Sequence, residues 1–469
     1  MMKSDSRPPR MDLLLDRSER LGLIDAYGRR AVKNALERAM GEARETWRAG
    51  AEAPGVEDLL DRAGSILGKA FRKPLNPVVN ATGVILHTNL GRAPLCKAHL
   101  KEAAEVLSGY VDVELDLGTG SRGHRDLRLE AEIRSLLDTE HGIVAVNNNA
   151  AAVILTLSTL ASGKEALVSR GELVEIGGSF RIPDVMAASG AILREVGTTN
   201  RTRLSDYENA LGERTGVLMK VHPSNYRIEG FTQSVPVADL VALGRKRGVP
   251  VAHDLGSGCL QAGPGGLIEE ELSVEAALGE GPDVLTFSGD KLFGASQAGL
   301  LLIAPPLVKR FRSNPLLRAL RLDKVSYWLL GKAVQAYRKD RWAELPALEM
   351  LAASRATLRR GAHALKRRVE RAAPGRYAME VAEGEGRVGG GTAPIYPLPS
   401  PILRIRPERG SVRDLDEYMR RQCDPAVVSV AAEDSLHLHL RTILPGQLGH
   451  VAACLATYAD KDDTGASND

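Results

Sequence analysis

The chain has 469 residues, 43% hydrophobic and 26% charged, enough for two or three domains and a large core, and too apolar for a disordered protein. Lys and Arg number 62 against 59 Asp and Glu, so no strong field covers the body. Cys96, Cys259, Cys423 and Cys454 form no C-x-x-C or Cys/His cluster, so neither a disulfide framework nor a zinc or other metal site is expected. The sequence shows neither an apolar signal core nor a run of 18 apolar residues, which predicts a soluble protein of the reducing cytoplasm without a membrane partner.

From Met11 to about Trp47 the apolar residues Leu14, Leu15, Leu21, Ile24, Ala31, Leu36 and Met40 recur at helical spacing, which predicts two or three amphipathic helices. Another helix runs through Leu67, and Lys73-Pro74-Leu75-Asn76-Pro77 forms a stiff boundary. Residues 1–73 are therefore expected to be a separate helical domain. They hold 15 Lys and Arg against 12 Asp and Glu, a balance compatible with an RNA partner or with an ordinary solvated surface.

Residues 74–312 alternate short apolar runs with amphipathic stretches. The runs begin with Gly142–Val146, Ala166–Val168, Ala191–Leu193 and Val217–Val221, and continue with Val249–Ala252, Val284–Phe287 and Gly299–Ile303. Buried strands separated by helices predict an α/β fold with a mostly parallel sheet, whose ligands gather at the carboxyl ends of the strands. Charged helices and later strands, Pro401–Ile405 and Leu436–Leu440, predict a small α+β domain over 313–460 and a disordered tail over 461–469.

Four features fall at predicted strand ends. Asn147–Val153 opens a helix whose first N–H groups could hold a phosphate, or are simply capped. Asn225, in His222-Pro223-Ser224-Asn225, offers an amide to a phenolic oxygen or makes an Asx turn. Asp254 could keep a pyridine nitrogen protonated, or cap a helix. Lys291, in Phe287-Ser288-Gly289-Asp290-Lys291, has the packed apolar setting of a Schiff-base lysine, or is an ordinary strand-end lysine. Asn225, Asp254 and Lys291 follow at spacings of 29 and 37 residues, similar to those of fold-type I pyridoxal phosphate enzymes.

Longer motifs make the resemblance specific: Asn80–Arg92, Gly120–Asp126, Val146–Val153, Val168–Gly178, Val196–Thr202 and Phe287–Lys291. Together they resemble bacterial selenocysteine synthases, the L-seryl-tRNA(Sec) selenium transferases. The resemblance implies a fold-type I, aspartate aminotransferase-like domain with an N-terminal tRNA-binding module and pyridoxal 5'-phosphate as cofactor. It implies a reaction in which seryl-tRNA(Sec) loses water to a dehydroalanyl-tRNA and takes selenium from selenophosphate. Lys291 would carry the cofactor, Asp254 would pair with its ring nitrogen, and Asn148, Asn149 and Ala150 would cradle its phosphate, with Asn225 and Ser288 as further contacts. Arg92, Arg318 and Arg321 match active-site arginines suited to the phosphate-bearing donor, the last two sharing a helix face. The family forms rings of dimers, so the resemblance implies a decamer here, and Val196–Thr202 is similar to a segment used in that assembly.

This sequence departs from the family at Gly294-Ala295-Ser296-Gln297, where relatives carry Gly-Gly-Pro-Gln, and at Ser429-Val430-Ala431, where they carry Gly-Arg-Ile. Two other readings stand beside the transferase: a pyridoxal phosphate lyase acting on a free amino acid or sugar acid, and an RNA-binding protein on an inactive enzyme fold.

Overall fold

The computed structural model describes residues 9–48, 53–71, 74–176, 180–260, 271–392, 396–432 and 434–465. The chain divides into two compact units, residues 1–77 and 78–469.

The first unit is helical: Met11–Arg20, Leu23–Tyr27, Arg29–Arg48 and Val56–Ala70. Val32, Leu36, Ala39 and Ala43 recur at three and four residues, so they line one stripe of the long helix, and they are buried with Leu14, Leu59, Ala63 and Leu67.

The second unit is built on a seven-stranded sheet. Its strands, in chain order, are β1 (Gly142–Val146), β2 (Glu165–Ser169), β3 (Ile192–Val196), β4 (Thr215–Val221), β5 (Val251–Gly256), β6 (Val284–Ser288) and β7 (Gly299–Ile303). They lie side by side as β1-β7-β6-β5-β4-β2-β3, and only β7 runs antiparallel to its neighbours. Alternate residues serve opposite faces, as the period of two requires. Val144, Val146, Val168, Met219 and Leu301 pack with helix Asn149–Ala161, whereas Ile143, Ala145, Phe287 and Leu300 pack with Leu129, Ile133, Leu330 and Val334. Both faces are covered, so β1, β2, β6 and β7 are buried along their whole lengths.

A smaller antiparallel sheet orders Tyr377–Ala382, Ile402–Pro407, Leu436–His439 and Val430–Ala431. Helices Arg355–Ala372 and Leu448–Gly465 share its core through Leu358, Leu365, Val369, Val451 and Leu455.

Three expected boundaries shift. Residues 313–338 do not begin the small domain, because Leu317, Leu320, Leu322 and Leu330 pack against the cores of the large sheet. Conversely, Val79 and Ala81 belong to the small-domain core, and Val78–Asn80 pairs in parallel with Ala426–Val428. The last helix runs on to Gly465, so 461–465 are helical rather than a tail; residues 466–469 lie outside the described residues.

Candidate active site

Strands β1, β4, β5 and β6 all end at one edge of the sheet, and Asn148, Asn149, Ala150, Asn225, Asp254, Ser288 and Lys291 lie at or just beyond those ends. Beyond β1, Asn147 donates its N–H to the Leu320 carbonyl at 3.0 Å. Asn148 caps the helix Asn149–Ala161, with Oδ1 accepting from Ala151 N–H at 2.8 Å. Ala152 N–H takes the Asn148 carbonyl. The N–H groups of Asn149 and Ala150, at the positive end of the helix, are then the donors an anion would meet. The helix start lies tight against β7: a Cβ on Gly299 would stand 2.2 Å from the Asn148 carbonyl oxygen, so only glycine fits there.

The Asn149 side chain has a different job from the one its neighbours suggest. Its Nδ2 donates to Asp254 Oδ1 at 2.8 Å, and Thr286 Oγ1 donates to the same oxygen at 3.0 Å. Asp254 is buried near the end of β5, and burial pushes its carboxyl pKa up. The Asn149 and Thr286 hydrogen bonds, the Lys291 charge and the Gly256 backbone oppose that shift. A buried carboxylate in this condition is stabilised by a cation placed against it, as a protonated pyridine would be.

Lys291 is also buried, on the turn after β6. Desolvation and then the positive charge of Arg92 push its pKa down, against Asp254, Asp290 and Glu271. An amine so placed gives up its proton more readily and is a better nucleophile. Arg92 adopts φ 60° and donates to Asp290 Oδ2 at 2.8 Å, which ties it to the residue before the lysine. The ideal Cβ position on Gly256 lies 4.0 Å from Lys291 Nζ and 3.8 Å from Ser224 Oγ, so β4, β5 and β6 converge on one small space.

Polar side-chain atoms on residues that follow β1, β4 and β5 lack protein partners among the described residues. Asn149 Oδ1, Asn225 Oδ1 and Ser257 Oγ are buried without a hydrogen-bond partner among the described residues. A flat, polar, phosphate-bearing ring satisfies such a set, so the residues present fit pyridoxal phosphate. One Nδ2 N–H of Asn225 goes to the Glu175 carbonyl at 2.7 Å, which leaves its second N–H and its side-chain oxygen available. Ser288 is buried at the end of β6, where its backbone pairs with Gly299.

The arginine pair is not arranged as the sequence suggests. Helix Leu316–Ala319 is one turn long, and Arg321 bridges Val146 beyond its end, so Arg318 and Arg321 share no helix face. Arg321 donates to Glu114 Oε1 at 3.2 Å, beside Arg125 and Arg122 on the same carboxylate. Arg318 is exposed and makes no side-chain hydrogen bond or ion pair among the described residues.

A cavity of about 350 Å³ opens beside the site at the ends of β2, β3 and β4 and shares Ser224 with it; Lys291 does not line it. Its wall holds a buried ion pair that sequence reading missed. Lys220 Nζ donates to Glu172 Oε1 at 2.6 Å and to the Val235 carbonyl at 2.9 Å, and Val221 N–H donates to Glu172 Oε2. Burial raises the Glu172 pKa, and Lys220 opposes it. Burial and Lys220 lower His222 to about 4, so it is neutral at pH 7. Glu172 stood in a quoted motif, but its partner is 48 residues away, and no local pattern announces the pair.

The departures from the family pattern are accommodated. Gly294 takes φ 76°, Ala295 N–H bonds the Gly289 carbonyl, and Ser296 Oγ donates to the Ser326 carbonyl at 3.2 Å, closing the turn behind Lys291. Ser429 Oγ donates to Asp416, and Val430–Ala431 forms the edge strand of the small sheet.

The family model for L-seryl-tRNA selenium transferase matches residues 78–444. The chain belongs to that family. The transferase match starts at the first residue of the second unit, and relatives extend it into the first. The L-seryl-tRNA(Sec) selenium transferase of Geotalea uraniireducens is 42% identical over 96% of this chain and 98% of its own length. That of Moorella thermoacetica is 46% identical over 82% of each chain. Among solved structures, D-glucosaminate-6-phosphate ammonia-lyase is similar with a TM-score of 0.56 and 17% identity, covering 83% of this chain and 97% of the other. The fold is that of the fold-type I pyridoxal phosphate enzymes. Among the described residues no helix is long and apolar enough to cross a membrane.

Proposed function

We propose that this transferase-family chain converts L-seryl-tRNA(Sec) to L-selenocysteinyl-tRNA(Sec) with pyridoxal phosphate as cofactor and selenophosphate as selenium donor. The observation that carries the reading is the convergence of buried Asp254, near the end of β5, with buried Lys291, on the turn after the adjacent β6, in a chain similar to selenium transferases over nearly its whole length. That breadth of similarity supports the transferase over a lyase of free amino acids, whose support is a shared fold alone.

Pyridoxal phosphate, when bound, supplies an electron sink for the pair left on the seryl α-carbon as its proton departs. Lys291 Nζ holds the cofactor and, with its lowered pKa, takes that proton. Asp254 keeps a proton on the ring nitrogen, with Asn149 and Thr286 fixing one of its oxygens. The Asn149 and Ala150 N–H groups bind the phosphate, and the oxygen of Asn225 and buried Ser288 bound the ring pocket. Arg92, beside Lys291 through Asp290, orients the anionic selenium donor. Arg321 and exposed Arg318 complete that anion site with a neighbouring subunit, in a ring of dimers that is a decamer. The N-terminal helical unit grips the tRNA by backbone and shape, and the enzyme works in the cytoplasm.

The test incubates purified wild type and Lys291→Ala with seryl-tRNA(Sec), pyridoxal phosphate and selenophosphate, and identifies by mass the amino acid released from the tRNA. Selenocysteine from wild type alone is expected. Unchanged serine from cofactor-loaded wild type sinks the proposal.

A further inference from the structure

Helix Arg355–Ala372 carries seven Arg and Lys and a single acid, Glu370, a net +6 in 18 residues when the whole chain nets +3. Its inner face is settled: Leu358, Ala362, Leu365 and Val369, at helical spacing, are buried in the small-domain core. Directly opposite lie Arg360, His363, Arg367 and Arg371, all exposed.

Charge pairing divides the helix. Arg355 and Arg359 both bind Glu383, and Lys366 lies 3.6 Å from Glu370. Among the described residues, none of Arg360, Arg367 and Arg371 has a carboxylate partner; Arg360 only donates to Thr357 Oγ1 at 3.0 Å. Three unneutralised guanidiniums therefore stand in a line. From Arg360 to Arg371 the line is about 16 Å long at the rise of an α-helix.

We propose that this stripe is a docking surface for the phosphodiester backbone of the tRNA substrate, additional to the N-terminal unit. The inference rests on the function proposed above, which makes a polyanion the substrate. Guanidinium forks match phosphate oxygens in pairs, and a straight basic ridge suits a backbone rather than a base edge. Other occupants fit worse. A lipid surface needs an apolar face to insert, and this helix buries its own. A protein partner needs an apolar anchor, and no large hydrophobic residue is exposed between residues 326 and 429 among those described.

The test is binding of seryl-tRNA(Sec) to full-length protein over a salt series, comparing wild type, R360Q/R367Q/R371Q and the charge-keeping R360K/R367K/R371K. All three positions are exposed, so folding is spared. The Gln variant should lower the slope of log Kd against log salt by about one per arginine and weaken binding about tenfold or more at 0.15 M salt. The Lys variant should keep most of the slope, and kcat at saturating tRNA should stay unchanged because the stripe touches no reacting atom. An unchanged Kd and slope in the Gln variant overturns the proposal. So does lost binding of poly-glutamate with unchanged tRNA binding, which would assign the stripe to an acidic protein. Wild type that binds the tRNA yet yields only serine refutes the proposed reaction, while the slope comparison still decides the stripe.

Discussion

Replacing Thr286 by valine keeps the shape of a buried side chain and deletes one hydroxyl, the one that donates to Asp254 Oδ1 at 3.0 Å. A hydrogen bond to a charged group contributes about 1.5–3 kcal/mol, and both members of this pair are buried. The loss falls on the ionised form of Asp254, whose pKa burial has already raised. A carboxyl raised in the folded state burdens folding only where it is ionised. The penalty is absent below the unfolded pKa, near 3.9, and grows as pH rises through the folded pKa. Thr286→Val without cofactor should therefore be less stable than wild type by about 1.5–3 kcal/mol at pH 8, and the gap should close as pH falls toward 4. Urea unfolding of both proteins across that range measures it. Pyridoxal phosphate should recover part of the loss, because a protonated ring nitrogen returns a counter-charge to Asp254. A deficit that is the same at every pH would mean packing alone was damaged, and the assignment of Thr286 as a support of the carboxylate would be wrong.

Two further outcomes follow from the geometry. Gly299→Ala would place a methyl group 2.2 Å from the Asn148 carbonyl oxygen and 2.9 Å from Asn149 Cα, so β7 and the helix start must part. Overpacking of this kind costs about 1–3 kcal/mol, and the displaced N–H donors should also weaken pyridoxal phosphate retention on dialysis. Lys220→Met strands Glu172 beside the cavity and should destabilise the protein by about 3–5 kcal/mol in thermal or urea unfolding, whereas K220M/E172L should regain most of it. A single variant as stable as the double would refute the view that the pair is held by mutual compensation.

The sheet was legible because burial on both faces leaves little choice of residue. Runs such as Gly142–Val146 and Gly299–Ile303 are apolar at every position, and each became a strand where the sequence placed it. Lys291 and Asp254 were legible for a related reason, since a charged residue at the end of such a run stands out. The domain boundary at 313 was not legible. Helix Lys324–Arg338 exposes charge, which reads as a change of composition, while Leu330, Ala333 and Val334 on its other side belong to the large-sheet core. The face shared by Arg318 and Arg321 failed because spacing implies a shared face only while the helix lasts, and this one ends at Ala319.

The three consecutive asparagines show the limit most sharply. Asn147, Asn148 and Asn149 are alike in the sequence, and a cradle for phosphate is a fair reading of any of them. The fold separates them by where the helix begins: Asn147 gives its backbone to Leu320, Asn148 turns its side chain inward as the cap, and Asn149 reaches the carboxylate of Asp254, 105 residues away. A shift of the helix start by one residue would move the cap to a neighbour and swing the Asn149 amide off Asp254 by about 100°, at 3.6 residues per turn. Gly299 fixes that start by letting β7 approach within contact of the Asn148 carbonyl. The charge state of the site thus depends on a glycine that carries no chemistry of its own.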